Sequence, residues 1–240
     1  MIETFAALLF AHVLADFVIQ TRWMVDQKRK PQILLLHGVI VLITLQLATG
    51  HVTAWPLLAL ALAHLVIDAV KTYAPHGDGL APFVIDQLAH LATLIIAAVM
   101  APALWQTGIW ADLTWLPGLM VLASGLLICT RAGGFAIGLL MAPWANSDLP
   151  KGLKNGGSLI GVLERGLIFL LLLAGQPTGV GFLIAAKSVL RFDTTARDQS
   201  ASEYVIIGTL ASFGWALLFG YGTIVMLSYL PALGFLPQSP

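Results

Sequence analysis

Apolar runs long enough to cross a bilayer, at about 20 residues per span, alternate along the chain with short polar stretches. They predict eight helices, near residues 2–21, 33–49, 55–73, 82–101, 118–140, 157–174, 178–193 and 203–230. Arg131-Ala132-Gly133-Gly134 is a potential break in the fifth, and the seventh is short. Inside the runs a few polar residues recur with helical spacing. In Leu62-Ala-His64-Leu-Val-Ile-Asp68-Ala-Val-Lys71-Thr-Tyr73, an imidazole, a carboxylate and an ammonium share one helix face. A central Asp or Lys costs roughly 2.5–3.5 kcal/mol on insertion scales. That stripe therefore has to face other helices or a wet cavity, not lipid.

The fold class that follows is all-α: a polytopic integral membrane helical bundle of eight spans, with both termini outside. It is expected to form a single transmembrane domain over 1–240. A His/Asp-bearing four-helix half covers 1–101, and a second four-helix half covers 102–240. Composition agrees, with 58% hydrophobic and only 10% charged residues, whereas a soluble domain carries roughly a quarter charged. Residues 1–21 contain Glu3, His12 and Asp16 and no Lys or Arg before Arg22, so they are expected to persist as the first helix and not to be a removable signal. Cys129 is the sole cysteine, which excludes a disulfide framework and a Cys-based zinc site. A formal net charge of zero and the lack of a basic tail exclude a nucleic-acid partner.

Loop charges set the orientation. The loop 22–32 carries Arg22, Lys28, Arg29 and Lys30, 141–156 carries Lys151 and Lys154, and 191–202 carries Arg191 and Arg197, while 50–54, 102–117 and 175–177 carry none. The positive-inside rule puts the basic loops in the cytoplasm. Trp55, Trp105, Trp110 and Trp115 fit an outer aromatic belt. In that frame His12, Asp16, His37, His64, Asp68, Asp86 and His90 all fall in the inner half of the membrane. A short repeat relates Phe-Ala-His12-Val-Leu-Ala-Asp16 to Leu-Ala-His64-Leu-Val-Ile-Asp68, as in parallel repeats about an axis along the membrane normal.

Four imidazoles and three carboxylates at matched depth suit a divalent metal, because bundle cores build such sites from facing helices. Neutral imidazole with carboxylate favours zinc, with manganese and iron as alternatives. His12, His64, Asp68, Asp86 and His90 are the expected ligands, with Asp16 or His37 as general base and Gln20 and Gln87 as orienting neighbours. One metal with a base and two metals are both compatible with seven donors. The alternative is interhelical pairing without metal. Left unpaired, three Asp and Lys71 would cost on the order of 10 kcal/mol.

A second, cationic set comprises Lys71, Arg165, Lys187 and Arg191, which suits an anionic headgroup. Glu164 or Glu203 is the expected counter-ion of Arg165. Gly157 with Gly161, and Gly208 with Ser212, have the small-x-x-x-small spacing of closely packed helices.

The pattern His12-x-x-x-Asp16-Phe17-x-x-Gln20, His37-Gly38, His64-x-x-x-Asp68-x-x-Lys71, Asp86-Gln87-x-x-His90, Gly161-x-x-Glu164-Arg165, Lys187 with Arg191-Phe192 and Glu203-Tyr204 resembles the uncharacterised bacterial family called domain of unknown function 3307, over nearly the whole chain. The resemblance implies a multi-pass protein of the bacterial cytoplasmic (inner) membrane. Its His/Asp helices bear a looser likeness to membrane-bound metal-dependent hydrolases. The leading expectation is a metal-dependent intramembrane hydrolase of a lipid or amphipathic anionic substrate at the cytoplasmic leaflet. A metal-ion or proton-coupled transporter and a scaffold subunit with paired charges are the alternatives.

Overall fold

The computed structural model describes residues 1–75, 79–145, 155–195 and 199–234, with the backbone alone for 190–195. It is helical, without strand among the described residues. Among the described residues seven helices are long and apolar enough to cross a membrane, and an eighth, Thr178–Val189, is apolar but shorter. This is an integral, multi-pass membrane protein. The chain divides into two compact units, one of Met1–Ser124 with Met226–Leu233 and one of Gly125–Val225 with Gly234–Pro240.

In the first unit, α1 (Ile2–Leu14) runs on into a π-helical turn over Ala15–Ile19, followed by the short α2 (Arg22–Asp26), α3 (Pro31–Thr49), α4 (Trp55–Tyr73) and α5 (Leu80–Met100). Local chemistry sets their ends. The Thr21 hydroxyl caps α2 by accepting from the Met24 amide at 3.3 Å, and proline occupies the first turn of both α3 and α4. Gly50, at φ 72°, ends α3 in the left-handed conformation. The segment 101–115 closes over that end: a Cβ on Gly108 would stand 2.1 Å from the Thr49 carbonyl oxygen, so only glycine fits.

Ala7 and Ala11 of α1 and Ala15 of its π turn, with Leu8, share one core with Val41, Leu45, Leu57, Leu60 and Leu94, the small-residue device of membrane bundles. On α4 the large residues Leu58, Leu62, Val66 and Val70 face outward, while His64 and Asp68 are buried. The helix is thus apolar outside and polar inside, as lipid requires.

The second unit contains the end of α6 (Leu116–Leu127), a π-helical turn over Ile128–Ala132, α7 (Gly133–Met141), α8 (Gly156–Leu173), α9 (Thr178–Thr195) and most of α10 (Gln199–Ser228). Its core is Ile168, Leu172, Val180, Phe213 and Ala216. Arg131 to Gly134 does not interrupt the helix, contrary to expectation; one continuous span runs from Leu116 to Trp144. Gly133 serves close packing instead, since a Cβ there would meet the Trp215 ring at 2.8 Å and Arg165 Nε at 3.0 Å.

Candidate metal centre

All seven predicted imidazole and carboxylate residues lie in the first unit, on the four packed helices α1, α3, α4 and α5. His12 and Asp16 come from α1 and its π turn, His37 from α3, His64 and Asp68 from α4, and Asp86 and His90 from α5. The i, i+4 spacing puts the two donors of each pair on one face, and the π turn shifts the register at Asp16; such bulges are frequent at functional sites. His12, His37, His64, Asp68, Asp86 and His90 are each no more than 5% exposed.

The donor atoms converge. Asp16 Oδ1 is 3.3 Å from His37 Nε2 and 3.4 Å from His64 Nε2, and the two Nε2 atoms are 3.2 Å apart. Asp68 Oδ2 stands 3.3 Å from His37 Nε2 and 3.6 Å from His64 Nε2. Further along the cluster, His90 Nε2 is 3.5 Å from Asp86 Oδ1 and 3.8 Å from Asp68 Oδ1, and the His64 and His90 rings stack with centroids 4.0 Å apart. His12 completes the group, with Nδ1 3.7 Å from Asp16 Oδ2 and its ring 5.1 Å from that of His90.

Three overlapping triads have ligand atoms within 4.8 Å of one another: Asp16, His37 and His64; His12, His64 and His90; and Asp68, Asp86 and His90. These groups could hold a metal ion. Asp16 Oδ1, Asp86 Oδ1, His12 Nδ1 and both nitrogens of His90 lack a hydrogen-bond partner among the described residues. Buried polar atoms are rarely left so, and a cation could satisfy the carboxylate oxygens and one nitrogen of each imidazole.

Two lysines complete the electrostatics. Lys71 Nζ is 2.9 Å from Asp86 Oδ2, so the ammonium expected to hold a headgroup is an ion-pair partner within the cluster. Gln87 donates to the same oxygen at 3.1 Å. Sequence reasoning missed Lys28, whose Nζ lies 2.8 Å from Asp68 Oδ2. Its signal in the sequence is a basic loop joining two His/Asp helices. The Tyr73 hydroxyl ties that loop down by donating to the Arg29 carbonyl at 3.0 Å. Gln20 ends the π turn, with its Nε2 unpartnered among the described residues.

The remaining candidates belong to the second unit. Arg165 pairs with neither Glu164 nor Glu203. Its guanidinium donates to the carbonyls of Cys129 and Thr130 at 2.8 and 2.9 Å and to the Ser212 hydroxyl at 2.9 Å. Both carbonyls belong to the π turn at 128–132. Glu164 instead accepts from Lys187 at 2.7 Å, and Glu203 accepts from Gln199 at 2.9 Å. The Arg191 side chain lies outside the described residues.

Residues 4–113 match the family described as "Protein of unknown function (DUF3307)", in agreement with the motifs. The matched stretch contains every residue of the His/Asp cluster together with Lys28 and Lys71; residues 114–240, for which the resemblance was also drawn, lie beyond it. No curated protein and no solved structure matches the chain, so the looser likeness to membrane-bound metal-dependent hydrolases has no support from them.

Proposed function

We propose that the first unit holds a divalent metal ion, zinc in the first instance and iron(II) or manganese as alternatives, and that the protein is a metal-dependent intramembrane hydrolase. The substrate class is a lipid or amphipathic anion taken from the cytoplasmic leaflet. The observation that carries this is the spacing of Asp16 Oδ1, His37 Nε2 and His64 Nε2, which are 3.2, 3.3 and 3.4 Å from one another. A tetrahedral site with bonds of about 2.0–2.1 Å has ligand atoms about 3.3 Å apart. Two imidazoles and one carboxylate also match the three-ligand sets of catalytic zinc and non-haem iron, which leave a position open.

When bound, the ion supplies Lewis acidity and a nucleophile at neutral pH. The protein supplies the rest. Asp68 Oδ2, 3.3 and 3.6 Å from the two imidazole nitrogens, would serve as general base beside the ion. Asp86 and His90 hold the far side of Asp68, with His90 Nε2 3.8 Å from Asp68 Oδ1. This assignment moves Asp16 and His37 from the base role expected from sequence into the ligand set, and Asp68 in the opposite direction. Lys28 and Lys71 balance the carboxylates. The cytoplasmic placement rests on the basic loop that carries Lys28, by the positive-inside rule.

The test is hydrolysis of phospholipid and of short-chain amphipathic esters by purified protein in nanodiscs, with metal added or chelated. Activity that vanishes on chelation and in His64→Ala, with the protein still folded, is the expected result; activity indifferent to chelation overturns the proposal. A second reading is favoured by the lysines: ammoniums at 2.8 and 2.9 Å from Asp68 and Asp86 occupy positions that a carried cation would take. A carrier of this kind accumulates metal ions or protons in proteoliposomes and hydrolyses nothing.

A further inference from the structure

The small residues Gly157, Gly161, Gly208 and Ser212, whose spacing predicts closely packed helices, instead line a cavity of about 410 Å³ within the second unit. A Cβ at Gly138 or Gly157, both on its wall, would meet no atom within 4 Å. Facing this space are Arg165, Lys187, Glu164, Ser158, Tyr204 and Thr209. We propose that this cavity is a binding site for a phosphate-type oxyanion, free or as the head of an amphiphile, with Arg165 as its anchor. The proposal rests on the second unit alone and does not depend on the metal.

Charge carries the argument first. Glu164 and Lys187 neutralise one another at 2.7 Å, which leaves the Arg165 charge over. Arg165 is only 3% exposed, and its partners are two carbonyls and a hydroxyl, with no carboxylate pairing to it among the described residues. Glu164 acts on this cation only from beyond ion-pair distance and is itself engaged by Lys187; burying a cation whose direct contacts are neutral dipoles is expensive, and an anion in the adjoining space would offset that cost.

Geometry agrees. A guanidinium has five N–H groups, and the three bonds use one on each nitrogen, leaving the second N–H of each Nη. Those two nitrogens adjoin the glycine walls: Cβ atoms added at Gly161 and Gly134 would stand 3.0 Å from Nη1 and 3.4 Å from Nη2. Side chains there would occupy the space beside the fork. Paired N–H groups on Nη1 and Nη2 suit bidentate binding of phosphate oxygens, and the Ser158, Thr209 and Tyr204 hydroxyls can donate to the remaining ones. Carbonyls of the π turn hold the guanidinium in place before any ligand arrives.

Equilibrium dialysis of the full chain in maltoside detergent, with chelator present, tests this against inorganic phosphate and dodecyl phosphate. Saturable binding of one dodecyl phosphate per chain is expected. Gly138→Leu, which fills cavity space where a Cβ would meet no atom within 4 Å, and Arg165→Lys, which removes the fork, should each weaken it by about tenfold or more, the scale of a charge-assisted bidentate pair. Binding of inorganic phosphate as well identifies the free anion as sufficient; binding of dodecyl phosphate alone identifies a lipid-like ester as the ligand. Saturable binding of neither, or binding that Gly138→Leu leaves unchanged, overturns the proposal.

Discussion

Lys28 separates a metal centre from a merely paired cluster. Its ammonium lies 2.8 Å from Asp68 Oδ2, where it competes with any cation drawn to that carboxylate. In the metal account Lys28→Met tightens metal binding by about tenfold, the equivalent of one charge-assisted contact. In the structural account the same change strands a buried carboxylate and costs roughly 3–5 kcal/mol of stability. Titration with a competing chelator, beside thermal unfolding, reads both. Asp68 and His64 divide the chemistry further. Asp68→Asn should lower hydrolysis by about 10²–10⁴-fold, the worth of a general base, while the metal is retained; His64→Ala should lose both. Asp68→Asn protein with full activity contradicts the base assignment. The seven clustered His and Asp residues were legible in the sequence because spacing on a helix fixes their facing. Lys28 was not, since a long side chain on a loop can reach many places and no periodicity records which.

At the scale of elements, the apolar runs mark the helices because in lipid a helix is the one structure in which a single segment satisfies its own backbone hydrogen bonds. The π turns at Ala15–Ile19 and Ile128–Ala132 leave no such mark: one extra residue in a turn changes neither composition nor length detectably. They nonetheless set the register of Asp16 and supply the carbonyls that hold Arg165. Glycine is similarly ambiguous in sequence. Gly133 and Gly134 suggest a break and Gly157 with Gly161 suggest close packing, yet the first pair lies within a helix and the second lines a cavity. Gly125 is a true close contact, where a Cβ would stand 2.1 Å from the Thr223 hydroxyl oxygen. Gly125→Ala should destabilise by about 1–3 kcal/mol, as overpacking does, and Thr223→Gly in the same chain should restore most of the loss. Thermal unfolding of the single and double variants in detergent checks this, and an unaffected Gly125→Ala contradicts the close contact.

For the whole molecule, the bilayer orientation expected from loop charge has a direct chemical test. Cys129 is buried and is the sole cysteine, so single cysteines introduced elsewhere report accessibility against a silent background. With both termini outside, Thr53→Cys is labelled by an impermeant maleimide from the periplasmic side and Asp26→Cys only after the membrane is opened; the reverse pattern overturns the orientation and, with it, a cytoplasmic site. The claim on which the account turns is that the Asp16, His37 and His64 cluster holds a metal. It is tested most directly by elemental mass spectrometry on detergent-purified protein made without an affinity histidine tag or added metal, compared with His64→Ala and Asp16→Ala. The account predicts one or two zinc, iron or manganese ions per chain, lost in both variants while the proteins stay folded and monodisperse. Folded wild type free of metal, and unable to take it up on titration, would contradict it.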